Sequence, residues 1–154
     1  VGQFIHVPFI NHGAVALGSM ADPDGRKEGM TTNISRWPAG AAGRSRTVRH
    51  GDTVYTVANA RQAGAPFADQ VAQSLAMLDT HLREAGSARS RLLSIQVLLA
   101  DIADRPEFDR HWTAWIGADP DHWPQRACHQ AALAPGLLIE LIAVAASGDG
   151  AGAT

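Results

Sequence analysis

Pro124-Gln125-Arg126-Ala127-Cys128-His129-Gln130-Ala131-Ala132-Leu133-Ala134-Pro135-Gly136-Leu137-Leu138-Ile139-Glu140-Leu141-Ile142-Ala143-Val144-Ala145-Ala146 reads as two strands, 126–133 and 137–146, joined by the turn Ala134-Pro135-Gly136. The second strand is apolar except for Glu140. An unpaired buried carboxylate is costly, so this position calls for a partner. Arg126, which opens the preceding strand, is the natural candidate, because consecutive strands are often neighbours in a sheet. On the residues alone, a structural ion pair and an active-site pair both stay open.

Upstream, Thr47-Val48-Arg49, the turn His50-Gly51-Asp52 and Thr53-Val54-Tyr55-Thr56-Val57-Ala58 form a hairpin rich in β-branched residues. Residues 66–85 repeat Phe67, Val71, Leu75, Leu78 and Leu82 at helical spacing, and Gly86 stands where a left-handed cap would end the helix. The near-continuous apolar run 91–100 suits a strand buried on both faces. Asp104 is placed to cap a second, short helix with Pro106 in its first turn, its buried side carrying Phe108, Trp112, Trp115 and Ile116 before Gly117. A linker with Pro120 and Pro124 follows. The order ββαβαββ predicts an α+β domain: a mixed sheet with both helices on one face and the other face left for something else, an oligomer partner first of all. Its expected bounds are 30–146, with 147–154 as a tail. Residues 1–29 read as an N-terminal extension, a cloning remnant or an added strand, and Met30 as a possible natural start.

Composition narrows the functional classes. With 45% hydrophobic and 18% charged residues the chain is globular. A formal net charge of -2 without any basic stripe argues against nucleic acid. Lys27 is the only lysine, which excludes a Schiff-base lysine from the domain. Cys128 stands alone, so no internal disulfide forms and a reducing, cytoplasmic setting is compatible. The longest apolar stretch, 137–146, is interrupted by Glu140 and falls far short of the roughly 20 residues of a membrane span. None of the seven histidines follows a metal-binding spacing, and no phosphate-binding glycine motif is present, so neither a metal nor a nucleotide cofactor is expected.

Pro124-Gln125-Arg126-Ala127-Cys128, then Leu133 and Leu138-Ile139-Glu140-Leu141-Ile142-Ala143-Val144-Ala145, resemble the C-terminal signature of the Rid (YjgF-like, L-PSP endoribonuclease-like) family: P-x-R-x-C, then a strand ending I-E-x-x-A-x-A. Gly51-Asp52-Thr53-Val54-Tyr55-Thr56, Asp69-Gln70-Val71, Leu82-Arg83-Glu84-Ala85-Gly86-Ser87 and Leu99-Ala100-Asp101 with Phe108 and Trp112-Thr113-Ala114-Trp115 extend the likeness. It covers about 110 residues, one domain's worth.

The resemblance implies a chorismate-mutase-like fold and a homotrimer with a barrel-like centre of packed sheets and clefts between neighbouring subunits. It implies hydrolysis of a reactive imine or enamine to a 2-oxo acid and ammonia, without a cofactor. Arg126 would clamp the substrate carboxylate, and Glu140 would activate the attacking water and then protonate the departing amine. Cys128, Val57 and Ala58 would line the substrate. A non-catalytic trimer binding a small carboxylate is the alternative. The chain departs from the family pattern at Val57-Ala58-Asn59, where Ser-Gly-Gln is typical, and at Gly43-Arg44-Ser45, where Gly-Pro-Tyr is typical. The family's association with RNA cleavage finds no basic patch here.

Overall fold

The computed structural model describes residues 34–148, so the segment 1–29, the start at Met30 and most of the tail 147–154 lie outside the described residues. The elements are β1 (Ile34–Pro38), β2 (Ser45–His50), β3 (Thr53–Asn59), α1 (Phe67–Glu84), β4 (Leu92–Leu99), α2 (Arg105–Ile116), β5 (Gln125–Gln130) and β6 (Ile139–Ala146). The expected ββαβαββ order is present, preceded by one further strand. β1 escapes sequence reading because it is a short, mostly exposed edge strand ending in Pro38, without the apolar alternation that marks a half-buried strand.

The sheet runs β1-β2-β3-β6-β4-β5. β6 is antiparallel to both β3 and β4, whereas β5 is parallel to β4. Parallel neighbours need a crossover, and α2 supplies it between β4 and β5. As a result β5 and β6, consecutive in the chain, are separated by β4.

Period-two alternation decides what each strand buries. Val54 and Ala58 of β3, Ile95, Val97 and Leu99 of β4, and Ile139, Leu141, Ala143 and Ala145 of β6 are nearly inaccessible. They form one core with Val71, Leu75, Leu78 and Leu82 of α1 and Phe108, Trp112 and Ile116 of α2. Each large side chain so buried contributes about 1.5–3 kcal/mol. Trp112 packs against Phe108 and Trp115, with ring centroids 6.0 and 5.3 Å away, the packing role its helical spacing predicts. The opposite sheet face stays open among the described residues: Tyr55 and Val57 are 50 and 38% exposed, and Ile142, Val144 and Leu98 are half-buried. Among the described residues β4 is therefore covered on one face only, not on both as its apolar run suggests.

The helix ends follow local chemistry. Gly86 (φ +74°) ends α1 in the left-handed conformation, with Ser87 N–H donating to Leu82 O at 2.8 Å and Gly86 N–H to Arg83 O at 3.1 Å, a Schellman motif. At α2 the expected cap is displaced: Asp104 makes no side-chain cap, and Asp101 instead accepts from Ala103 N–H at 2.9 Å. That bond holds the short 3-10 turn Ile102–Asp104, which leads directly into α2.

Gln70, fully buried on α1, donates to Ala65 O and Gly136 O and accepts from Leu138 N–H, each at 2.9 Å. Gly136 (φ +80°) also accepts from Gly64 N–H at 2.8 Å, and a β-carbon there would lie 3.1 Å from Ala63 Cβ. These contacts pin the chain immediately before β6 and set the level at which Glu140 emerges.

Candidate active site

The ladder between β2 and β3 runs only from His50↔Thr53 to Thr47↔Thr56, although β3 stays paired with β6 as far as Asn59↔Glu140. On its other side β2 slips against β1, from Trp37↔Thr47 to Pro38↔Ser45, so Arg46 is an extra residue in the strand. Such a bulge bends the strand and redirects its side chain. The β1–β2 ribbon leaves β3 at this point, and a cleft of about 480 Å³ opens beside the gap. Arg44, Ser45 and Arg46 line it from β2 and the turn before it, Val57, Asn59 and Glu140 from β3 and β6, and Met77 and His81 from α1.

A polar network stabilises the bulge. Arg46 Nη1 donates to Glu84 Oε2 at 2.6 Å, and this bond holds the Glu84 carboxyl below its ordinary pKa. The Thr56 hydroxyl donates to Arg46 O at 3.1 Å, satisfying a carbonyl beyond the end of the β2–β3 ladder. The same hydroxyl lies 2.8 Å from Thr47 Oγ1 and 3.1 Å from His81 Nδ1. Its single proton is committed to Arg46 O, so the arrangement is satisfied with His81 carrying a hydrogen on Nδ1. His81 is 4% exposed, and burial, then the positive charge of Arg46, push its pKa below 6.5 against the opposing pull of Glu84.

Glu140 is half-buried on the open face, with Oε2 3.5 Å from Asn59 Nδ2, at the limit of a hydrogen bond. It has no ion-pair partner among the described residues. The pairing with Arg126 expected from adjacent strands does not occur within the chain. Arg126 is in register with Ile95 and Cys128 with Val97, both helix-facing, whereas Glu140 is in register with Leu98 on the open face. Arg126 Nη2 lies 2.8 Å from Asp109 Oδ1, and its guanidinium sits 5.7 and 5.6 Å from the Phe108 and Trp112 ring centres. Asp109 Oδ1 is buried without an aligned hydrogen bond, so charge rather than directed bonding holds this pair.

Of the other expected lining residues, Val57 faces the cleft with Glu140. Ala58, 2% exposed, turns its methyl into the core because neighbours along a strand point to opposite faces. Cys128 packs against the same core, and burial pushes its thiol pKa up, as suits a small buried hydrophobe. Sequence reading missed Arg44, Arg46, Asn59 and His81. Arg46 depends on a bulge that no local pattern announces. His81 had a signal: with Gln70 and Ser74 it forms a polar line at helical spacing on the buried side of α1.

Residues 35–147 match the family model described as Endoribonuclease L-PSP. The chain belongs to this family, known also as the YjgF/RutC family. The RutC family protein YoaB of Escherichia coli K12 is 34% identical to it over 103 residues, 66% of this chain and 89% of YoaB. A RutC family protein of Haemophilus ducreyi is 36% identical over 78 residues, 50% of this chain and 65% of that protein, slightly under two thirds. Among solved structures, NMB1025 of Neisseria meningitidis, a member of the YjgF protein family, aligns at TM-score 0.70 and 28% identity over 77% of this chain and 98% of NMB1025. The mixed six-stranded sheet with two helices is the YjgF fold. Among the described residues no helix of this family member is long and apolar enough to cross a membrane, and no three of His, Cys, Asp and Glu gather into a possible metal site.

Proposed function

We propose that this YjgF-family chain hydrolyses a reactive imine or enamine bearing a carboxylate, releasing ammonia and leaving a 2-oxo acid. The observation that carries the reading is Glu140: a half-buried carboxylate on a metabolite-sized cleft, without an ion-pair partner among the described residues. A carboxylate in that state can exchange a proton with water. An enamine first takes a proton on carbon and becomes an iminium. Glu140 then removes a proton from water as the oxygen bonds to the C=N carbon and the π electrons move to nitrogen. Glu140 returns that proton to nitrogen and takes the proton of the new hydroxyl as the C–N bond breaks, so that ammonia leaves and the C=O bond forms.

The carboxylate clamp comes from a neighbouring copy in this proposal. β5 is an edge strand, so a second subunit packed against the open face can present its Arg126 to the cleft, with a homotrimer as the assembly. The guanidinium fork has donors beyond the one facing Asp109, and bidentate carboxylate binding uses them. A lone, half-buried cysteine is compatible with the reducing cytoplasm, where we place the reaction.

The test is ammonia release from 2-imino acids generated freshly by an amino-acid oxidase, measured against spontaneous hydrolysis. The protein is expected to accelerate release, and Glu140→Gln to lose about 10²-fold or more of that acceleration. Release at the spontaneous rate with the unmodified protein would overturn the proposal.

A further inference from the structure

We infer that the substrate carries a second anionic group, a carboxylate at the end of its side chain, and that Arg44 receives it; this rests on the hydrolase reading of the same cleft. Two arginines, Arg44 and Arg46, line the cleft together with Glu140. They are not equivalent. Arg46 is held by Glu84 at 2.6 Å, so its charge is already compensated. Arg44 is exposed and has no acidic partner among the described residues, and its carbonyl accepts from Ala39 N–H at 3.3 Å across the β1–β2 turn. A guanidinium without an acidic partner among the described residues can receive an anion, and its planar fork suits a carboxylate.

The other charged groups sharpen the class of ligand. His81 is buried with its pKa lowered, so it adds no positive charge near neutrality. Glu140 repels anions from its own wall, which leaves the β2 wall, with Arg44, as the place for one. A cationic side chain would meet Arg44 with like charge, and a short apolar side chain would leave much of the roughly 480 Å³ unfilled. The 2-carboxylate already has its clamp in Arg126 of the neighbouring copy, so the anion at Arg44 is a second one. The preferred substrates are therefore dicarboxylic imines or enamines, such as those formed by oxidation of acidic amino acids.

Binding and turnover test this separately. Calorimetric titration with 2-oxoglutarate and with 2-oxobutanoate, the products expected with and without a side-chain carboxylate, is compared for the protein and its Arg44→Ala variant. We expect 2-oxoglutarate to bind about ten-fold more tightly and the preference to collapse in the variant. Equal binding of the two acids, no detectable binding of 2-oxoglutarate at millimolar concentration, or a preference that survives Arg44→Ala would each overturn the inference. Ammonia release from the two corresponding imines then separates the claims. Turnover of both with equal kcat/KM sinks the dicarboxylate class and leaves the hydrolase. An Arg44-dependent binding preference without turnover of either imine supports the anion subsite and sinks the hydrolase.

Discussion

His81 is the residue where α1, β3 and the Arg46 bulge meet, through Thr56. Its pKa lies below 6.5 because burial and Arg46 disfavour the imidazolium. The unfolded chain therefore binds more protons at this residue on acidification. The stability that neutral His81 contributes is complete above about pH 6.5 and is lost as pH falls through the folded-state value. Chemical denaturation should show a midpoint that drops as pH falls below about 6.5, and His81→Gln should flatten that drop. An equal drop in both proteins would assign the acid sensitivity to other groups. Glu140 was legible because a lone carboxylate in an apolar strand stands out, and Val57 only through the family resemblance. Ala58 and Cys128 turn their side chains to the core, because family likeness marks a segment whereas alternation decides which of its side chains face the cleft.

Between elements, Arg126 is the link from β5 to α2, through Asp109 and the faces of Phe108 and Trp112. Its side chain is 22% exposed, so solvent screens the ion pair only in part. Arg126→Ala removes the pair and the cation–π contacts together and should lower stability by about 1–2 kcal/mol, read as a shifted denaturation midpoint with unchanged slope. An unshifted midpoint would deny Arg126 any structural role and leave it only the carboxylate clamp. Both helices, the β2–β3 hairpin, β4 and β6 were readable as elements, since each carries its own apolar period and its own punctuation in Gly86, Gly117 or Gly51. β1 was not, because an exposed edge strand has no such period.

For the molecule as a whole, the sheet face left open among the described residues is the main unfinished surface: Tyr55 and Val57 are exposed, and Val144 is half-buried in register with Tyr55. Contiguous apolar surface of this kind marks an interface. If three copies cover it, sedimentation should find a trimer, and Val144→Arg should sediment as a folded monomer. A monomeric parent protein would remove the neighbouring Arg126 from the proposed site. The α+β class, the element sequence and the one carboxylate inside an apolar strand follow from local patterns, because periodicity, turn residues and burial preference act over a few residues at a time. Only the three-dimensional fold decided that β6 enters between β3 and β4, that Arg126 and Glu140 occupy opposite faces, and that a bulge brings Arg46 beside His81. Those are matters of long-range pairing: a crossover helix displaces the next strand by one place in the sheet, and a one-residue slip in register redirects a side chain.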